Sequence, residues 1–141
     1  MAKVFLNDKI VEDVQAKVAA DDSAFLYGMG LFETMRVVGG KVFRVDDHLD
    51  RLFASCDKLD VKNSYEKAYI KNAIGQVLEA NELDEARLRL TLSSGPVSDD
   101  DGPGTLVISA TPLGAYPDEF YKKGIAVTLC DWRQNSYDPL C

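Results

Sequence analysis

Apolar and polar positions along this chain repeat with two periods, and the period changes from strand-like to helix-like and back. Val4-Phe5-Leu6, Asn7-Asp8 and Lys9-Ile10-Val11 read as a small hairpin, with turn residues between two apolar runs. Gln15 to Ala20 reads as another short strand. Asp21-Asp22-Ser23 is turn chemistry that can cap a short helical turn over Ala24 to Tyr27. Gly28 and Gly30 flank Met29 and permit a tight backbone path into Leu31 to Val38, a strand rich in β-formers. Gly39-Gly40 and Lys41-Val42-Phe43-Arg44 close a second hairpin.

The period then lengthens. Leu49, Leu52, Phe53, Cys56 and Leu59 form an amphipathic stripe on a helix capped by Asp46 or Asp47. A second helix, capped by Ser64, runs to about Ala80, with Tyr69, Ala73, Val77 and Ala80 or Ile70, Ile74 and Leu78 inward. Arg87 to Leu92 alternates with period two, so one face is apolar and the other polar. Ser94 to Gly104 is a loop, and Thr105 to Thr111 is a near-continuous apolar strand expected at the sheet centre. Pro112 to Gly124 reads as a linker with helical character around Asp118 to Lys122, and Ile125 to Trp132 as a final strand. Strands precede helices and hairpins dominate, which predicts an α+β fold: a mostly antiparallel sheet with two helices packed on it. The order is not alternating βαβ, and no third glycine follows Gly28 and Gly30 at the right place, so they are not a dinucleotide fingerprint.

Composition narrows the chemistry. The 141 residues are 46% hydrophobic and 28% charged, an ordinary globular balance with enough chain for a sizeable core. The net charge of -7 and the absence of a basic stripe argue against nucleic acid, although one arginine is enough to hold one phosphate. No apolar run is long enough to span a membrane and no signal peptide is evident, so a cytoplasmic location is expected. Cys56, Cys130 and Cys141 suggest neither a disulfide framework nor a zinc site, and Cys56 falls on an apolar helix face.

One candidate for chemistry is Arg51. It lies off the apolar stripe of its helix, on a face shared with His48 and Ser55. A guanidinium fork fits phosphate oxygens bidentately. The plain alternative is a solvated helix surface with a weak Asp47–Arg51 pair, and for His48 a bond to nearby backbone. Tyr27 and Phe32 flank the glycine turn and, read plainly, are core aromatics. Arg87 and Arg89 share the polar face of their strand, where an exposed arginine pair is the plain reading.

Two motifs carry a resemblance. Phe25-Leu26-Tyr27-Gly28-Met29-Gly30-Leu31-Phe32-Glu33 followed by His48-Leu49-Asp50-Arg51-Leu52 resembles the fold-type IV (class IV) pyridoxal-phosphate enzymes. These comprise branched-chain aminotransferases, D-amino-acid aminotransferases and aminodeoxychorismate lyases. The resemblance implies that Arg51 holds the phosphate of pyridoxal 5'-phosphate. It implies that Tyr27 and Phe32 line the substrate side-chain pocket and that Arg89 matches a pocket arginine, with Arg87 as the other possibility. Phe32 favours an apolar, branched-chain-like amino acid. Asp22-Ser23, Met29 and Ser94-Gly95 depart from the family's usual residues, and the last weakens the lyase and D-amino-acid subfamilies.

The resemblance also implies a layout. Residues 1–112 match a small N-terminal domain, 113–124 an interdomain linker, and 125–141 the first strand of a second domain. The Schiff-base lysine is then expected beyond Cys141. Lys122 and Lys123 read as surface charges. The implied activity is amino transfer between an amino acid and a 2-oxo acid, in a homodimer, with the 141 residues alone inactive. Two alternatives stay open: an aminodeoxychorismate lyase, and a truncated non-catalytic binding module that pairs through a strand such as Ile125 to Leu129.

Overall fold

A computed structural model describes residues 1–99 and 101–133. The chain forms strands β1 (Lys3–Leu6) and β2 (Lys9–Glu12), a short helix α1 (Ser23–Tyr27), and strands β3 (Gly30–Val38) and β4 (Lys41–Val42). Helices α2 (Val45–Leu59) and α3 (Lys67–Ala80) follow, then strands β5 (Ala86–Ser93) and β6 (Thr105–Pro112) and helix α4 (Asp118–Lys123). The strands make one antiparallel sheet in the order β2-β1-β6-β5-β3-β4. Thr105 to Thr111 therefore does lie in the sheet interior. The α+β expectation and the antiparallel sheet both hold.

Alternation decides which face is covered. Along β3, Leu31, Glu33, Met35 and Val37 are buried while Phe32, Thr34, Arg36 and Val38 are exposed. Along β5, Leu88, Leu90 and Leu92 are buried and Arg87 and Arg89 exposed. Helix α2 packs on β3, and α3 packs on β1 and β6. Leu49, Leu52 and Cys56 of α2 meet Ile70, Ala73, Ile74, Val77 and Leu78 of α3 in one core with the buried strand residues. Burial raises the Cys56 thiol pKa, with Asp57 adding to the effect, as fits a small core side chain. On α3 both expected sets contribute, but Tyr69 stays at the edge, stacked on Tyr65. Among the described residues neither α2 nor α3 covers the opposite face of the sheet, and Phe32, Arg87 and Arg89 are exposed there.

Several local expectations fail for identifiable reasons. Gln15 to Ala20 is not a strand: a 3-10 turn covers Asp13–Gln15 and the following residues pair with no neighbouring strand. Neither Asp46 nor Asp47 caps α2. Its first turn follows Arg44 in the left-handed region (φ 52°), and the two carboxylates instead pair with Lys71 and Arg44. Ser64 does not cap α3, which follows Glu66; Asn63 makes the side-chain turn, accepting from the Tyr65 N–H at 2.9 Å. Among the described residues no strand forms over Ile125 to Trp132, and Ile125, Val127, Leu129 and Trp132 are exposed. A strand needs a hydrogen-bonding neighbour, and the sheet supplies none there. Residues 134–141, the rest of the segment expected to open a second domain, lie outside the described residues.

The entry to β3 is fixed by two devices. Gly28 ends α1 in the left-handed conformation (φ 70°), which a side chain would strain. A Cβ on Gly30 would sit 2.7 Å from the Ala24 Cβ, so α1 can lie on the strand only over a glycine. Asp22 locks the other end. Its carboxylate caps α1 at the Ala24 N–H (2.8 Å) and accepts from the buried hydroxyls of Ser93 (2.9 Å) and Thr105 (2.7 Å). Replacing Asp22 with Ala removes the cap and strands two hydroxyls, and should destabilise the fold by about 2–4 kcal/mol in denaturant unfolding. Asp22→Asn keeps the capping oxygen and should lose clearly less; equal losses would show that the capping oxygen contributes nothing on its own and would contradict the capping role.

Candidate functional site

The candidate site is built around an acid in an apolar register. Glu33 occupies the helix-facing side of β3, between Leu31 and Met35, with only 3% of its surface exposed. A carboxylate so placed needs ionic partners. Helix α2 provides two, one turn apart. Arg51 donates Nε to Glu33 Oε1 at 2.8 Å and an Nη to Oε2 at 2.5 Å, a side-on bidentate pair. His48 Nδ1 lies 2.7 Å from Oε2 of the same carboxylate. The nitrogen facing a carboxylate carries the hydrogen, so His48 donates here whether its ring is neutral or charged.

This corrects the plain reading of His48 and sets aside the plain alternative for Arg51. His48 bonds a buried carboxylate and not nearby backbone. Arg51 pairs with Glu33 and not with Asp47, whose partner is Arg44. Glu33 itself was quoted in the glycine-turn motif but given no role. The signal was present: on a strictly alternating strand it falls in register with Leu31, Met35 and Val37.

Arg51 is anchored at one edge only. Its side chain is 67% exposed, and among the described residues nothing but Glu33 engages its guanidinium. Arg51 lines a depression of about 390 Å³ together with Phe43, Arg44, Asp47 and His48. That donor set suits a phosphate group: a guanidinium with unsatisfied hydrogens, held from behind by a carboxylate.

The other expected residues lie across the sheet. Phe32, next to Glu33 in sequence, points to the open face. The Arg89 guanidinium stacks on its ring, 3.9 Å from the centroid. Thr34, Arg87, Arg89, Ser109 and Thr111 line a shallow hollow of about 320 Å³ on that face. A larger one, about 470 Å³, lies beside it under Leu113 to Tyr116 and Tyr121. Tyr27 is the last residue of α1 and is exposed, as Phe32 is, so neither is a core aromatic. The structure thus joins Phe32 to Arg89 and Arg51 to Glu33 and His48. Strand β3 separates the two groups and presents one on each face. Among the described residues no cluster of acids, histidines and cysteines could hold a metal, and no helix is long and apolar enough to cross a membrane.

The acid–base state of Glu33 has a measurable consequence. Burial pushes its pKa up, but the hydrogen bonds from Arg51 and His48 more than offset this and hold it below the ordinary carboxylate value. Arg51 is shifted the opposite way by the same bonds, so both groups stay charged. A carboxyl with a depressed folded-state pKa contributes stability above its unfolded value of about 4.3 and loses it as pH falls through the folded value. Glu33→Gln should therefore be less stable than the unaltered chain near neutral pH, with the gap narrowing progressively once the pH drops below about 4.3. Denaturant unfolding across that range reads it; a gap that does not change with pH would contradict the ion pairing.

The profile of the amino-transferase class IV family matches residues 30–141. A D-alanine aminotransferase of Listeria innocua is 30% identical over 139 residues, covering 93% of this chain and 48% of the relative. An aminodeoxychorismate lyase of Bacillus subtilis is 33% identical over 94 residues, covering 65% of this chain and 32% of the relative. In three dimensions the chain resembles the branched-chain amino acid aminotransferase of Escherichia coli, with a TM-score of 0.84 and 26% identity, over 97% of this chain and 48% of the other. The chain thus spans about half the length of the D-alanine aminotransferase and of the structural neighbour. With a family match over most of its length and the fold to go with it, this chain belongs to the class IV aminotransferases.

Proposed function

We propose that the whole protein carrying this chain is a pyridoxal-phosphate-dependent aminotransferase that moves an amino group between an amino acid and a 2-oxo acid. The observation that carries the reading is Arg51, fixed on one edge by buried Glu33 and open on the other. Residues 1–112 are the small domain, 113–124 the linker and 125 onward the start of a second domain. Support comes from the sheet, which ends with β6 at Pro112, and from the exposed apolar residues after it.

Each residue then has a task. Arg51 binds the cofactor phosphate through its remaining N–H donors. Tyr27 and Phe32 offer aromatic surfaces to the substrate side chain, and Arg89, stacked on Phe32, sets a positive charge beside it. The exposed phenyl ring of Phe32 favours an apolar substrate side chain, branched-chain-like. When bound, the cofactor supplies an electron sink at the substrate α-carbon. The lysine that attaches the cofactor lies beyond Cys141 in this reading, so these residues by themselves turn over no substrate. The functional unit is a cytoplasmic homodimer.

A second reading is supported by the Bacillus relative: an aminodeoxychorismate lyase, which would release pyruvate where an aminotransferase would not. Assaying pyruvate release against amino transfer with the whole protein separates the two. For the shared core of both readings, Arg51→Ala in the whole protein should weaken pyridoxal phosphate binding by about 1.5–3 kcal/mol, the scale of a charged hydrogen bond. An absorbance titration measures it, and unchanged affinity would remove Arg51 from the phosphate site.

A further inference from the structure

Glu33 takes the side-on edge of Arg51, Nε and one Nη, and leaves the remaining N–H donors of the guanidinium facing away from the pair. The carboxylate has little freedom to move. It is 3% exposed, its strand is paired to β5 residue by residue, and its Oε2 is shared with His48. Arg51, by contrast, has a long side chain that is 67% exposed. Unheld, it would sample many rotamers and lose that freedom on meeting a ligand.

We propose that Glu33 is a positioning residue for phosphate binding: it holds the Arg51 guanidinium in one orientation, so that its free edge meets a phosphate monoester already aligned. The proposal rests on the phosphate role of Arg51 given above. It has an opposing effect to overcome, because a carboxylate near a phosphate repels it and could compete for the same arginine. Two features favour positioning. The Glu33 charge is already met by Arg51 and His48. The carboxylate also occupies the edge that a phosphate arriving from solvent does not need, so it can keep its hold while the phosphate binds. The two effects predict opposite signs for the same substitution.

The test compares pyridoxal 5'-phosphate with pyridoxal, which lacks the phosphate, as ligands of the whole protein. Glu33→Gln should weaken binding of the phosphorylated ligand by roughly tenfold and leave pyridoxal binding unchanged. Equal weakening of both ligands would show that Glu33 does not act through the phosphate, and would overturn the proposal. Tighter binding of pyridoxal phosphate by Glu33→Gln would show that Glu33 competes with the phosphate, and would overturn the proposal. Arg51→Ala separates the two layers. If it abolishes the preference for the phosphorylated ligand and Glu33→Gln does not change that preference, positioning fails while the phosphate role stands. If Arg51→Ala leaves the preference intact, the phosphate role fails and takes the proposal with it.

A measurement on the unaltered protein covers the case in which Glu33→Gln does not fold. The Arg51 Nε–H proton resonance should be protected from exchange by the Glu33 bond both before and after pyridoxal phosphate is added, with the Nη resonances shifting. Loss of Nε–H protection on adding the ligand would mean that phosphate displaces Glu33, and would overturn positioning.

Discussion

A carboxylate buried in an apolar register must be matched by positive charge, and in this chain the match joins two elements distant in sequence. Glu33 faces helix α2 from strand β3, where an aliphatic residue would be the ordinary occupant. The cost of burying it is offset only if cations reach it with good geometry. His48 and Arg51, three residues apart on α2, both do. The register of β3 and the rotation of α2 are thereby tied together: a one-residue slip in the strand would turn Glu33 to the open face and leave both cations without it.

The same register sorts the candidate surfaces. Odd-numbered residues of β3 from Leu31 to Val37 face the helices; even-numbered residues from Phe32 to Val38 face the open side. Neighbours in sequence, Phe32 and Glu33, therefore serve opposite faces. Upstream, the glycine turn sets where β3 begins. Gly30 lets α1 lie against the strand through Ala24, and Asp22 pins α1 to the ends of β5 and β6. Tyr27 is thus held at the start of β3 by a cap and two buried hydrogen bonds, although it is itself exposed.

Much of this was legible in the sequence because periodicity reports burial. The alternation in Arg87 to Leu92 and the stripe of Leu49, Leu52 and Cys56 correspond to buried faces in the fold. Boundaries and pairings were less legible. Asp46 and Asp47 look like helix caps, but the folded chain spends them on Lys71 and Arg44, which lie close only after folding or through the Arg44 backbone turn. Gln15 to Ala20 and Ile125 to Trp132 have strand-like composition without a neighbouring strand, and composition carries no information about pairing. Arg51 could be singled out from its place off the apolar stripe. Its partner could not, since an ion pair across 18 residues leaves no trace in local pattern except the misplaced acid at Glu33.

The most direct test of this account is a crystal structure of the whole protein with pyridoxal 5'-phosphate bound. The account predicts a phosphate oxygen about 2.7–2.9 Å from an Nη atom of Arg51, with the Glu33 carboxylate still on Nε and Phe32 and Arg89 together at the substrate edge. A phosphate held elsewhere, with Arg51 still turned to solvent, would contradict it.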